Sequence, residues 1–299
     1  MMKTPMLIIL LALPAAAGAQ GLDILAGNGR SAGAEERSRL TVFGGYSDAE
    51  GLAHRSAAAE GSAVLGRGVS LDAGFSDHRI IKDGWLPGEL YTGALTLNVR
   101  NKRNFFSAGI RSRSDRPFFS VYETDLALGA SRTLSVSGPH SFSAGLMYSS
   151  RRSFARHIPF PYVMYSYRSE KFSFRLPFSA SWRPAAGYEL SASYMPPKYC
   201  AAAAEIKASE KLKFRAEYVF GALQFELARR RDKEESVFIE QANAGLRTEY
   251  AASRDYKLAL WTGWTLRGRY YRGKTYDEHH DTRRIGPAPA VSLGLTRFF

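Results

Sequence analysis

The sequence predicts an all-β fold, an antiparallel transmembrane β-barrel of about 14 strands within a range of roughly 12 to 16, on three observations. Apolar and polar residues alternate with period two from Arg39 to Phe299 without a compositional break. Tight turns alternate with longer polar segments between the alternating runs. The chain also ends on such a run, Val291-Ser292-Leu293-Gly294-Leu295-Thr296-Arg297-Phe298-Phe299. Strand side chains alternate between faces, so Val291, Leu293, Leu295 and Phe299 are expected to face lipid and Ser292, Gly294 and Thr296 the lumen.

At the N-terminus, Lys3 precedes an apolar run from Met6 to Ala17, broken only by Pro14, and Ala17-Gly18-Ala19 precedes Gln20. This is the pattern of a secretory signal peptide over residues 1–19. The run is shorter than the roughly 20 apolar residues of a spanning helix, and no Cys stands at the cleavage point to carry a lipid. Residues 20–38 are rich in Gly and Ala and read as a periplasmic lead-in, and residues 39–299 as a single barrel domain. The one cysteine, Cys200, cannot make an internal disulfide, so an exported fold must be held by another device. A closed ring of hydrogen-bonded strands is such a device.

The strands follow one another in the expected rhythm. Val69, Leu71, Ala73 and Phe75 alternate with polar or small residues, as do Phe142, Ala144, Leu146 and Tyr148. Phe172, Phe174, Leu176 and Phe178 oppose Ser173, Arg175, Pro177 and Ser179. Leu212, Phe214, Ala216 and Tyr218 oppose Lys211, Lys213, Arg215 and Glu217, and the run from Tyr256 to Arg267 alternates likewise. Taking 188–208 and 211–231 as one strand each gives about 14; breaking them at Pro196-Pro197 and Gly221 gives about 16; leaving 57–75 outside the wall gives about 12. Tight turns are expected at 66–68, 101–104, 169–170 and 252–255, and longer external segments at 47–56, 77–89, 111–117, 151–160 and 271–286. The 16 Tyr, 18 Phe and 4 Trp cluster near the inferred strand ends, where an amphipathic ring keeps its body in hydrocarbon and its polar tip in water.

The terminal strand, with the segments Pro161 to Tyr167, Leu190 to Tyr194 and Pro289 to Phe299, resembles bacterial outer-membrane β-barrel proteins, the small porin-like barrels that mostly form families of unknown function. The resemblance implies an outer-membrane location and makes Leu293, Leu295 and Phe299 an assembly signal for the barrel-assembly machinery. Arg297 stands where an aromatic is commoner in that family. Because alternation alone does not distinguish lipid from a second sheet, a soluble periplasmic β-sandwich also stays open.

The chain carries 41 Lys+Arg against 28 Asp+Glu, a formal +13. Export removes nucleic acid as the partner, leaving the phosphates of lipopolysaccharide at the outer rim, outer-membrane lipid, and small anionic solutes in the lumen. Charges at the lipid-facing midplane cost about 2–4 kcal/mol each for Arg or Lys, so Arg175, Lys211, Lys213, Arg215, Lys257, Arg267 and Arg269 are expected to face the lumen. There they would line a pore or pair with acids such as Asp72, Glu189, Glu217, Glu226 and Glu249. Arg151, Arg152, Arg156 and His157 are candidates for lipopolysaccharide phosphate.

The cluster Asp277-Glu278-His279-His280-Asp281 has metal-ligating types, but neighbours on an extended segment point apart and it reads as a solvated loop. His54 with Ser56 and His140 with Ser141 are close His–Ser pairs, and neither resembles a barrel lipase site. No cofactor or metal is expected. The functions left are a porin-like passive diffusion channel with a basic lumen, a non-conducting structural or surface-interaction barrel, and, last, a barrel enzyme acting on lipid.

Overall fold

The computed structural model describes residues 37–50, 52–81, 85–151, 157–176, 179–195 and 199–299. The strand segments are β1 (Arg39–Ala49), β2 (Leu52–Gly66), β3 (Val69–Ile80), β4 (Glu89–Arg100), β5 (Asn104–Ser114), β6 (Thr124–Ser137), β7 (His140–Ser149), β8 (Phe160–Arg168), β9 (Phe172–Leu176), β10 (Ser179–Trp182), β11 (Tyr188–Met195), β12 (Tyr199–Lys207), β13 (Leu212–Phe225), β14 (Ser236–Ala251), β15 (Tyr256–Gly273), β16 (His279–Ile285) and β17 (Ala288–Phe298). All neighbours pair antiparallel, and β1 pairs with both β2 and β17, which closes the sheet into a ring. Both β16 and β17 pair with β15, one after the other, so they form a single wall strand and the ring has 16.

That number lies at the top of the expected range, for reasons the ladders make explicit. The 57–75 pair is in the wall as β2 and β3. A break does fall between Met195 and Tyr199, but Gly221 lies inside β13 and pairs there with Gln241. The remaining hairpin comes from 172–182, where β9 and β10 pair from Arg175–Ser179 to Phe172–Trp182. The external segment expected over 47–56 is correspondingly absent, since Ala49 pairs directly with Leu52.

At the seam, Thr41 lies opposite Thr296 with their hydroxyl oxygens 2.9 Å apart, Val42 opposite Leu295, and Gly44 opposite Leu293. The amide of Phe299 donates to the Ser38 carbonyl at 2.8 Å, which carries the seam to the last residue. Leu40, Val42, Leu258, Leu260, Val291, Leu293, Leu295 and Phe299 are exposed on the outer face, while Thr41, Ser292 and Thr296 turn inward. Arg297 is on the outer face too, its guanidinium 4.7 Å from the ring centre of Phe299 and 5.7 Å from that of Tyr256. A cation stacked on rings at the turn rim occupies the headgroup level, which accounts for the tolerance of Arg at a position usually aromatic. Other rings join this belt: Tyr165, Tyr167, Phe142, Phe172 and Phe174 pack with centroids 4.8–6.4 Å apart. Tyr199, the first residue of β12, and Tyr270, near the end of β15, turn to the inner side, in register with Gly221 and Ile239.

Wall height is uneven. The strands β14 and β15 have 16 and 18 residues, β9 and β10 only 5 and 4. β12 stops at Tyr199 opposite Gly221, whereas β13 continues to Phe225. Beyond that level β13 turns toward the far side of the ring, and the Glu226 amide donates to the Arg113 carbonyl just before the end of β5 at 2.7 Å. The tall strands thus roll into a narrower cylinder above the short ones.

Outer-face apolar residues at the seam should be the most sensitive to charge. Leu293→Arg is expected to cost about 2–4 kcal/mol and, together with deletion of Phe299, to abolish the heat-modifiable folded form on gels. Ser292→Ala, one residue away on the inner face, should stay within about 0.5 kcal/mol of wild type.

Candidate functional site

The interior has two parts of different chemistry. Near the turn rim it is polar. Lys213 lies 3.1 Å from Glu205, Arg215 lies 3.1 Å from Glu217 and 3.7 Å from Glu205, and Lys257 lies 2.5 Å from Glu249. Arg247, which the expected set did not include, adds a 3.5 Å contact with Glu217. The registers explain the network. Lys213 faces Glu249, Arg215 faces both Glu205 and Arg247, and Glu249 faces Ala259, so cations and carboxylates of β12 to β15 alternate on one inner face. Cross-strand neighbours of opposite charge are in direct reach.

On the opposite arc the composition changes. The inner positions of β8 to β11 include Ser166, Arg168, Ser173, Arg175, Ser179, Ser181, Ser191 and Ser193, together with Tyr162, Met164, Glu189 and Met195, placed by the registers Ser166 to Arg175, Arg175 to Ser179 and Ser179 to Ser193. Arg168 and Arg175 lie on adjacent strands of this face, Arg168 opposite Ser173 and Arg175 opposite Ser166. Arg183 lies 2.8 Å from Glu189, and these two with Lys207, Lys213 and Glu205 border a recess of about 340 Å³ at the turn rim. Arg100, Arg168 and Arg183 were missing from the expected set, although strand parity would have found Arg168 once the 172–182 hairpin was placed.

Three expected lumen residues lie elsewhere. Lys211 belongs to the exposed turn between β12 and β13, not to a strand. Arg267 and Arg269 are corrected to the outer face. On β15 Asn243 pairs with Thr265 and Ala242 with Arg267, so Leu266 is an extra residue, and a one-residue bulge moves everything beyond it to the other face. Arg267 is exposed there, and Arg269 donates to Glu240 at 2.7 Å and stacks over Tyr271.

Toward the loop rim the interior holds an apolar cluster beside buried polar groups such as Ser76, His78 and Thr92. Leu52, Leu90, Phe225, Val237, Tyr270, Ile285 and Ala288, from seven different wall segments, pack with Ala49, Leu86, Leu223 and Ile239 into one buried cluster. Each of the Leu, Val, Ile and Phe side chains stabilises by about 1.5–3 kcal/mol when fully buried. His54 and His78 lie on the same inner side, their rings 6.5 Å apart, and Phe225 reaches across to His78 at 6.3 Å. A regular ring of 16 strands encloses an aqueous channel. Here the upper part of the ring is narrowed and filled.

The narrow ring is fastened by Arg230, in the segment after β13. Its guanidinium lies 3.2 Å from Glu123 and 3.2 Å from Glu226, and donates to the carbonyls of Leu227, Tyr122 and Lys233 at 2.6, 2.8 and 3.0 Å. All three charged groups are buried. The Ala228 amide donates to Asp115 at 2.7 Å, and Arg151 donates to the Val121 carbonyl at 2.9 Å while its guanidinium covers Tyr122. Arg151 is thus engaged with the β5–β6 connection, and Arg152 and Arg156 lie outside the described residues. Among the external loops, Asp232 is held below the ordinary carboxylate range by the Glu234 amide and by Lys274, 3.2 Å away, whose own pKa rises through that contact.

The other candidate clusters are not assembled into sites. His279 to Asp281 begin β16, where His280 lies 2.9 Å from Glu235, and among the described residues no three metal-ligating side chains converge. His140 meets Tyr165 at 2.6 Å, next to the outer aromatic belt.

A closed antiparallel ring with apolar side chains over its exterior and short turns at one rim satisfies all its backbone groups in lipid. The chain has the architecture of a transmembrane β-barrel. No family model and no curated protein sequence matches it. Among solved structures it is similar to the NanC porin, at 10% identity and a TM-score of 0.37 over 87% of this chain and 99% of that one. It is likewise similar to an outer membrane channel from Pseudomonas putida F1, at 9% identity and 0.34 over 88% and 95%. The KdgM porin gives 6% and 0.31 over 87% and 99%.

Removing the central cation of the latch leaves two buried carboxylates without a counter-charge. Arg230→Ala is therefore expected to cost about 3–5 kcal/mol, read as an earlier urea midpoint and as new protease cleavage within 226–235. Lys274→Ala, at an exposed pair, should leave both readouts unchanged.

Proposed function

We propose that the chain is a passive channel of the outer membrane whose lumen favours anions, exported after removal of residues 1–19, with 20–38 as a periplasmic lead-in. Leu293, Leu295 and Phe299 are the segment read by the assembly machinery, and lipopolysaccharide surrounds the loop rim. The observation that carries the reading is the placement of Arg168 and Arg175 on neighbouring strands of one inner arc that also carries Ser166, Ser173, Ser179, Ser181, Ser191 and Ser193. Like charges held together in a confined lumen raise the local anion concentration. Lys213, Arg215 and Lys257 contribute less, because Glu205, Glu217 and Glu249 stand beside them.

The apolar cluster at the loop rim favours a second reading, a structural barrel closed to solute. Zero-current potentials in planar bilayers under a KCl gradient separate the two. Anion preference is expected at low salt, fading as the Debye length falls below about 8 Å. The double change Arg168→Gln with Arg175→Gln should move the potential toward zero, whereas Lys213→Gln should move it less. Selectivity unaltered by the double change would overturn the assignment of the arginines, and folded, inserted protein without conductance would establish the closed barrel.

A further inference from the structure

One arc of the wall carries cations without acids. The sequence has no Asp or Glu from Leu90 to Ser114, nor from Leu126 to Ser169, and these stretches supply β4 beyond Glu89, β5, β6 beyond Asp125, β7 and β8. On β12 to β15, by contrast, cations and carboxylates alternate. The outer face of the acid-free arc has a groove. Leu97, Val99, Phe106, Leu128, Leu146 and Tyr148 border a recess of about 360 Å³ with Ala108 and Ala130 at its floor. Val99, Phe106, Ala130 and Leu146 stand in line across β4 to β7, and in the next row toward the loop rim so do Leu97, Ala108, Leu128 and Tyr148. Three inter-strand steps give the groove a length of roughly 14 Å, and its lining is hydrocarbon on the side that meets lipid.

The foot of the groove is basic. Arg132 is exposed two residues below Ala130 on the same outer face of β6, opposite Asn104 and Ala144. The turn that carries Lys102 and Arg103, both exposed, is tied to the same strand, because the Thr133 amide donates to the Arg103 carbonyl at 2.7 Å. None of the three cations forms an ion pair or a ring stack with another described residue, whereas Arg297, at the same rim, lies over Phe299 and Tyr256. Cations clustered at headgroup level beside an apolar surface attract the anionic heads of lipids whose chains cover that surface.

We propose that this wall binds one phospholipid with an anionic head, its phosphate on Arg132, Lys102 and Arg103 and an acyl chain in the groove over Ala108 and Ala130. The rim selects phospholipid over lipopolysaccharide, since the cations are on the side of the short turns, opposite the long external loops. The same charges select lipid over a second copy of the chain, because a two-fold contact through this face sets one basic foot against the other. The site rests on the outer-membrane placement proposed above and not on an open lumen.

The test uses the full-length barrel in mild detergent with equal amounts of phosphatidylglycerol and phosphatidylcholine of the same acyl chains. Retained lipid is counted by native mass spectrometry, and KCl conductance is measured on the same preparation in planar bilayers. Wild-type protein should retain one phosphatidylglycerol several-fold more often than phosphatidylcholine. The Lys102→Gln, Arg103→Gln, Arg132→Gln triple variant should remove that preference. Ala130→Phe, which fills the groove and keeps all three charges, should reduce retention of both lipids; each variant is scored only as heat-modifiable barrel, and Ala108→Phe replaces Ala130→Phe if the latter does not fold. Equal retention of the two lipids by wild type would overturn the anionic head, and undiminished retention in the folded groove variant would overturn the groove. Displacement of bound phosphatidylglycerol by an equal amount of purified lipopolysaccharide would overturn the choice of phospholipid. Retention without conductance would leave the site standing and overturn the channel, and conductance without retention would do the reverse.

Discussion

The structure depends on one requirement: in lipid, backbone N–H and C=O groups must find partners within the protein, because no water is present to take them. A sheet meets it only by leaving no edge, and this sheet closes twice. The first closure is the seam of β1 with β17, nine residues in register from Arg39–Phe298 to Ser47–Ala290. The second is higher, where strands that outlast their neighbours meet as Glu226 and Arg113, fastened by Arg230 between Glu123 and Glu226. The buried cluster from Leu52 to Ile285 exists because the second closure has a smaller circumference. Inner positions that would border water in a regular 16-stranded ring there face one another.

The seam was legible in the sequence down to the side-chain faces, because period two leaves no freedom: once Phe299 is outside, so are Leu295 and Leu293, and Thr296 is inside. The same rule failed at Arg267 and Arg269. Parity counted from Tyr256 is valid only while the ladder is regular, and the extra Leu266 reverses it. Nothing local marks that bulge, since Trp264-Thr265-Leu266-Arg267 continues the alternation. The 172–182 hairpin was hidden differently. Its alternation in sequence runs on through Phe178 as if one strand continued, and the only sequence sign against that is Pro177, a residue type that cannot donate to a ladder.

The charged interior was legible in kind and incompletely in membership. Lys213 and Arg215 stand out in their strand, but their partners, Glu205 on β12 and Arg247 on β14, come from registers that a single sequence does not print. The latch was beyond reach for a related reason: Arg230 and Glu123 are 107 residues apart and sit in connections without periodicity. Arg151 had a surface reading and turned out to hold the Val121 carbonyl. In each instance the sequence specified which residues are polar and on which face, while contacts across the ring depend on where strands end.

Strand ends are therefore where the account is most exposed to test. Spin labels placed singly at outer-face positions of the tall wall (Leu258, Leu260, Thr262, Trp264) and the low wall (Phe172, Phe174, Leu176), in a lipid bilayer, report depth through the ratio of oxygen to polar-reagent collisions. The account predicts lipid-like values across the tall wall and a change at Leu176 to a polar environment at a depth where the tall wall is still in hydrocarbon. A label at Leu176 with the same hydrocarbon signature as those on β15 would contradict the low wall.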